Sequence, residues 1–122
     1  MMPSTEGPRL GVESLAVDRW RITNEGAAAV RLLETRFPHG RFRGESLQHD
    51  REIAPGESIT LSLRVKTSGG PGEIVDNAFL ILRLDSWRVL ARLRIRFDAG
   101  RAAHPEVVVV TSQRAGFSGV EE

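Results

Sequence analysis

The sequence predicts an all-β protein that folds as a single antiparallel β-sandwich of about seven to eight strands. In the segment 87–98, apolar and mostly cationic side chains alternate with a period of two, as in a strand with one buried face. β-Branched and aromatic residues dominate the apolar segments, and 12 Gly and 6 Pro interrupt every window long enough for a helix. Turn residues recur at short spacing between these segments, which is typical of sandwiches.

The composition is that of one ordinary globular domain. Of the 122 residues, 40% are apolar and 27% are charged, enough for a core without covalent staples. The absence of cysteine excludes disulfides, a thiolate nucleophile and cysteine-ligated zinc. The first eight residues have neither a basic nor an apolar region, so we expect no signal peptide, and no apolar run approaches the ~20 residues that span a bilayer. We therefore expect a soluble cytoplasmic protein that does not insert into membranes.

The two ends of the chain contain little to bury. We expect a mobile tail over residues 1–9, a folded domain over 10–112 and a second tail over 113–122, in which Phe117 is the residue most suited to docking.

The first part of the domain contains two extended segments. Residues 10–17 predict one strand, and Trp20 with Ile22 predicts the next. The apolar phase slips between the two segments, which indicates a bulge or a bend near Asp18 and Arg19.

Turn residues separate the central strands. Asn24-Glu25-Gly26 is a turn, since Asn and Gly tolerate positive φ. Residues 30–37 predict a strand and residues 42–47 a short one. Pro55-Gly56 has the residues of a type II turn, and the clean alternation over 59–66 predicts one half-buried strand.

The last part of the chain predicts a hairpin and a final strand. The glycine-rich stretch 68–72 is a loop, and residues 78–84 form a dense apolar strand that Asp85-Ser86 turns back into the strand 87–98. Val107–Val110, with Thr111, predicts the last strand. Its valines are apolar on both faces, so we expect it to be sandwiched or covered by a partner, because a bare edge of this kind invites aggregation.

Two stretches carry a family resemblance. Ile22-Thr23-Asn24-Glu25-Gly26, followed about thirty residues later by the stretch from Ile53-Ala54-Pro55-Gly56 to Leu63, resembles the layout of bacterial immunoglobulin-like or fibronectin type III-like modules. The resemblance covers roughly residues 10–112. It implies an immunoglobulin-like sandwich that binds partners or spaces other domains.

The hairpin also predicts a contact surface. A two-residue turn at Asp85-Ser86 places Leu82 opposite Val89 and Leu80 opposite Ala91, so one face is wholly apolar and belongs to the core. The opposite face mixes apolar and guanidinium groups, and we predict that it binds a protein partner or forms a homodimer. Its predicted contact residues are Phe79, Ile81, Arg83, Arg88, Leu90, Arg92 and Arg94. In the alternative interpretation, arginine stems cover Phe79 and Ile81 while the charged heads stay solvated or pair with Asp76 and Asp98.

A polyanion is the second candidate partner. Arg92, Arg94 and Arg96 lie on one face at about 6–7 Å spacing, a range that meets successive phosphates of a nucleic acid. The net charge of +1 and the absence of a known nucleic-acid-binding signature argue against this class.

The loop Phe37–Gly44 is the most distinctive loop in chemical terms. Its two aromatic residues, two arginines and one histidine predict either a cradle for an anion or planar ligand, or a plug in which the phenylalanines close the core.

Catalytic and metal motifs are missing from the sequence. His39, His49, Asp50 and Glu52 could in principle join in a metal site, but their spacing matches no known zinc motif. No nucleophile elbow, phosphate-binding loop or dinucleotide fingerprint occurs. We therefore expect a non-enzymatic protein without cofactor or metal.

Overall fold

The computed structural model describes residues 7–114, in which the backbone forms ten β-strands and no helix, and therefore no membrane-spanning helix. Eight strands have five residues or more, and two have only two residues. The strands are β1 Leu10–Ala16, β2 Arg19–Asn24, β3 Val30–Arg36, β4 Arg43–Gly44, β5 Leu47–Ile53, β6 Ser58–Ser62, β7 Val65–Lys66, β8 Ile74–Leu84, β9 Trp87–Phe97 and β10 Ala103–Arg114. The all-β prediction is confirmed.

Two main antiparallel sheets enclose one apolar core. One has the strand order β1-β2-β6 and the other β10-β9-β8-β3-β5, while β4 and β7 pair as a small separate ladder. Trp20 and Ile22 come from the smaller sheet, Leu82 and Leu93 from the larger one, and all four are 0% exposed members of the same cluster.

The long hairpin of β8 and β9 has the predicted register. Leu82 lies opposite Val89 and Leu80 opposite Ala91, with Asp85-Ser86 as the turn. Trp87 differs from the expectation, because it is only half-buried at the edge of the core.

β8 begins at Ile74, earlier than the predicted start at residue 78. A bulge between Val75 and Ala78 breaks the period of two in the sequence. The first residues of β8 therefore could not be recognised from the alternation. Asn77 within it has a φ of 63°, a conformation that Asn tolerates better than most residues.

The phase slip near the start of the domain has two causes. β1 carries a bulge between Ser14 and Ala16, and a turn at Val17-Asp18 then reverses the chain so that Ala16 pairs with Arg19. The predicted bend at Asp18 is confirmed, but the bulge lies upstream in β1.

Two central predictions are wrong. The predicted strand 42–47 is reduced to β4, whereas β5 was not predicted because its middle residues, 48–52, are all polar. The predicted strand 59–66 splits at Leu63 and Arg64, where the chain leaves the three-stranded sheet and pairs with β4.

The predicted turns at 24–26 and 55–56 meet at a buried side chain. Asn24 is 0% exposed, and its Nδ2 donates to the carbonyls of Ala28 and Ile53, each at 2.9 Å. The Gly56 amide donates to the Asn24 carbonyl at 2.7 Å, and Gly56 has the positive φ of 83° that a type II turn requires.

The final strand is longer than predicted. Gln113 and Arg114 pair with Arg88 and Trp87, so the strand continues two residues beyond the predicted end of the domain at 112. The Ser112 hydroxyl donates to the Pro8 carbonyl at 2.9 Å, which ties this strand to the segment before β1. Residues 1–6 and 115–122 of the predicted tails, with Phe117, lie outside the described residues.

Candidate interaction surface

The solvent side of the five-stranded sheet, called the outer face below, brings all seven predicted contact residues together. The strand pairing arranges its side chains in rows that cross β3, β8, β9 and β10. These rows are Glu34, Arg83, Arg88 and Gln113; then Arg36, Ile81, Leu90 and Thr111; then Phe79, Arg92 and Val109; then Arg94 and Glu106.

The centre of the outer face is apolar. Phe79, Ile81 and Leu90 are half-buried, and Val109 beside Arg92 is 42% exposed. Val108 is the extra residue of a bulge in β10 and is 49% exposed. Within residues 7–114 the fold does not bury these two valines, so the first of the two alternatives for this strand, that it is sandwiched, is wrong for them, and the second, that a partner covers it, stays a prediction. A bulge on an edge strand discourages edge-to-edge pairing, which lowers the aggregation risk.

The arginines at one end of the outer face are bound by the chain's own carboxylates. Arg94 Nε donates to Asp76 Oδ1 at 2.8 Å, and this hydrogen bond raises the pKa of Arg94. Arg96 Nη2 donates to Glu106 Oε2 at 3.2 Å. The predicted stripe for nucleic acid is therefore partly neutralised.

The arginines of the centre and the other end have no such partners. The guanidinium groups of Arg36, Arg83, Arg88 and Arg92 make no hydrogen bond or ion pair with residues 7–114. A guanidinium group is more weakly hydrated than an ammonium group, so pairing with a carboxylate or phosphate costs it less desolvation energy. These four arginines can therefore bind an external anion.

Three of these arginines surround a depression of about 200 Å³, called the arginine pocket below. It is lined by Glu34, Arg36, Ile81, Arg83 and Arg88. Arg83 lies directly opposite Arg88 on the neighbouring strand, and like charges in that position destabilise a sheet. Glu34 is the one acidic lining residue, and it accepts a hydrogen bond from Gln48 Nε2 at 3.3 Å.

Arg36 was missed as a contact residue. It lies in a correctly predicted strand, β3, but no sequence signal places β3 beside β8 and hence Arg36 opposite Ile81. Val109 was missed for a different reason, because its register with Arg92 depends on the bulge at Val108.

The distinctive loop 37–44 closes the core, as its second interpretation predicts. Phe37 and Phe42 are 1% and 3% exposed, and the His39 ring stacks on Phe42 with centroids 4.5 Å apart. Arg41 binds both carboxylate oxygens of Glu73, at 2.7 and 2.9 Å. This pair, helped by a hydrogen bond from the Gly70 amide, lowers the pKa of Glu73 to about 2. The Arg41 guanidinium is therefore already engaged.

The histidines do not converge. His49 Nε2 lies 2.9 Å from the hydroxyl of the buried Thr35, and burial lowers the pKa of His49. His104 Nε2 lies 2.8 Å from Asp98 Oδ2, a contact that lowers the pKa of Asp98. Residues 7–114 contain no group of three acidic or histidine side chains placed to hold a metal ion.

A larger open cavity of about 730 Å³ lies where the loops 24–31 and 84–87 meet the segment before β1. Its aromatic wall is Trp87, and the Arg114 guanidinium lies 5.0 Å from the centre of a Trp87 ring. Gly7 approaches Trp87 so closely that an added Cβ would be 2.6 Å from the indole. Trp87 therefore lies against Gly7 and Arg114, the first and last residues that the structure describes.

No protein-family model, no curated protein and no solved structure matches this chain.

Proposed function

We propose that the chain is an immunoglobulin-like β-sandwich that acts as a non-enzymatic protein-interaction module and binds its partner through the outer face. The observation that carries the proposal is the half-buried apolar centre of Phe79, Ile81 and Leu90, surrounded by arginines that have no partner within residues 7–114.

The composition of the outer face fits a protein interface better than a solvated sheet surface. Aromatic and arginine side chains are enriched at interfaces and dominate their energetics. The strands hold Phe79 and Leu90 in place, so a partner gains apolar burial without ordering a loop. The unpaired arginines add directional contacts to carboxylates.

Charge favours an acidic partner over a second copy of this chain. In a face-to-face homodimer the arginines of one copy would lie close to those of the other, and such like-charge contacts are costly. An acidic partner protein removes that repulsion.

A polyanion is the alternative, and the observation in its favour is the same set of unpaired arginines. The apolar centre offers a nucleic acid backbone nothing to bind, and the net charge of +1 gives little long-range attraction.

Partner capture with matched variants tests the proposal. Leu90→Arg changes the centre of the outer face, whereas Leu15→Arg changes a residue of the other sheet that is 39% exposed. We expect immobilised Leu90→Arg protein to lose partners that the wild-type and Leu15→Arg proteins retain from a native lysate, while all three unfold cooperatively. Identical partner sets for the two variants would contradict the proposal.

Heparin chromatography and light scattering distinguish the other outcomes. A polyanion binder is retained on heparin and released by salt. On duplex DNA, the logarithm of its binding constant should fall with the logarithm of the salt concentration, with a slope of about −0.9 for each neutralised phosphate. A homodimer shows twice the monomer mass in light scattering, and Leu90→Arg would return it to the monomer.

A further inference from the structure

We infer that the arginine pocket binds the phosphoryl group of a phosphorylated side chain on the partner protein. This inference rests on the proposed function, since it names the chemistry by which the outer face recognises its partner.

Three adjacent strands supply the three cations. Arg36 comes from β3, Arg83 from β8 and Arg88 from β9, and Arg83 is in direct register with Arg88. Neighbouring strands lie about 4.8 Å apart and successive outward residues about 6–7 Å apart, so the three long side chains can meet over one small anion. Because the strands are fixed by the sheet, the origin of each arginine is preorganised.

The charge of the pocket matches a phosphoryl group. Three guanidinium groups against the single carboxylate of Glu34 leave an excess of two positive charges (3 − 1 = 2). A phosphorylated side chain carries about −1.5 to −2 at pH 7 and offers three acceptor oxygens, whereas a carboxylate brings only one negative charge. Guanidinium forks bind phosphate oxygens in a bidentate manner.

The like charges of the arginine pocket are electrostatically unfavourable, and a dianion between them would offset this. Arg83 and Arg88 carry like charges in directly opposite positions, and Glu34, which lies opposite Arg83 on the other neighbouring strand, forms no ion pair with either of them. An anion between them replaces the repulsion by two attractive contacts, so binding should also stabilise the fold.

The surroundings indicate that the phosphoryl group belongs to a peptide chain. Ile81 lines the pocket, and Leu90 follows it in the same row. A phosphorylated residue in the pocket would therefore place its apolar chain neighbours on the centre of the outer face.

A titration with defined probes tests the site. The probes are inorganic phosphate and three short peptides that differ only in a central phosphoserine, serine or glutamate between leucines. We expect backbone amide signals of residues 34–36, 81–83 and 88–90 to shift in two-dimensional NMR spectra. The phosphopeptide should bind about tenfold more tightly than the glutamate peptide, because two charge-assisted contacts replace one.

Charge-matched variants locate the binding. Arg83→Gln and Arg88→Gln should each weaken phosphopeptide binding about tenfold. Arg21→Gln removes the same charge from the other sheet, where Arg21 pairs with Glu13, and should leave binding unchanged. Affinity should also fall between pH 7.5 and pH 5, as the phosphoryl group takes up its second proton near pH 6.

Three results would overturn the site: equal affinity for the glutamate peptide, equal losses in Arg21→Gln and Arg83→Gln, or no shifts in the three strand segments. Each of them leaves the proposed function standing if Leu90→Arg still loses its partners. Conversely, phosphopeptide binding that depends on Arg83, together with unchanged partner capture by Leu90→Arg, rejects the interaction function and keeps the phosphoryl site.

Discussion

The two faces of the β8–β9 hairpin are made from alternate residues of the same strands, yet they differ in what they contribute. On the inner face, Leu80, Leu82 and Leu93 are completely buried. On the outer face, Arg83 and Arg88 oppose each other and form no ion pair within residues 7–114, although Glu34 lies in the same row. The side chains of the inner face are buried in the core, whereas several arginines of the outer face form no ion pair within residues 7–114. These unpaired charges are the basis of the proposal that the outer face binds a partner.

The largest expected effect is on the inner face. Leu82→Ala should lower the free energy of unfolding by about 2–5 kcal/mol, because it leaves a cavity in a close-packed core. Leu90→Ala, on the outer face of the neighbouring strand, should cost less than about 1 kcal/mol, since Leu90 is only half-buried. Urea unfolding of both variants measures the difference, and equal losses would contradict the division of roles.

The inner face continues to Phe97, where Gly69 approaches the ring. A Cβ at Gly69 would lie 2.2 Å from Phe97 Cε2, and the ring is only 1% exposed and has little room to move. We expect Gly69→Ala to cost about 1–3 kcal/mol in thermal or urea unfolding. Gly70→Ala is the matched control, because a Cβ there meets nothing within 4 Å and should change stability by less than about 0.5 kcal/mol. Similar losses in both variants would rule out the contact as the cause.

The ion pair between Arg41 and Glu73 should make a pH-dependent contribution to stability. The pKa of Glu73 is about 2 in the folded protein, below its ordinary value of 4.5, because Arg41 and the Gly70 amide bind the carboxylate. The stabilisation is therefore complete above about pH 4.5 and is lost as the pH falls towards 2. Glu73→Gln should have a lower melting temperature than the wild type at pH 7, and this gap should close on acidification. A gap at pH 2 that is as large as the gap at pH 7 would contradict the assignment.

The sequence predicts the parts of the molecule that depend on local pattern. Alternation along 87–98 and the Asp85-Ser86 turn were sufficient for the inner face, the register and the placement of the seven predicted contact residues on the outer face. Parity within one strand decides which side chains share a face. The pairing of β3 with β8, which do not follow each other in the chain, has no such local signal, so Arg36 could not be assigned to the outer face. Val109 could not be assigned because the bulge at Val108 shifts the register of β10.

Two other features were not predicted, because the alternation of apolar residues does not report them. β5 is an edge strand whose middle residues are polar, so its only apolar signals are Leu47 and Ile53. Trp87 continues the apolar alternation, but it lies at the edge of the core, where Gly7 and Arg114 contact its ring. The pairing of Arg94 with Asp76, by contrast, is one that the alternative interpretation of the hairpin predicts.

The smallest expected change in stability gives the most direct test of the central claim. Arg88→Glu turns the repelling pair with Arg83 into an attractive cross-strand pair, whereas Arg21→Glu turns the attractive pair with Glu13 into a repelling one. Unfolding free energy and partner capture should be measured for both proteins. The account predicts that Arg88→Glu is more stable than the wild type by about 0.2–1 kcal/mol and loses its partners, while Arg21→Glu is less stable by a similar amount and keeps them. An Arg88→Glu protein that is destabilised, or that still captures the wild-type partners, would contradict it.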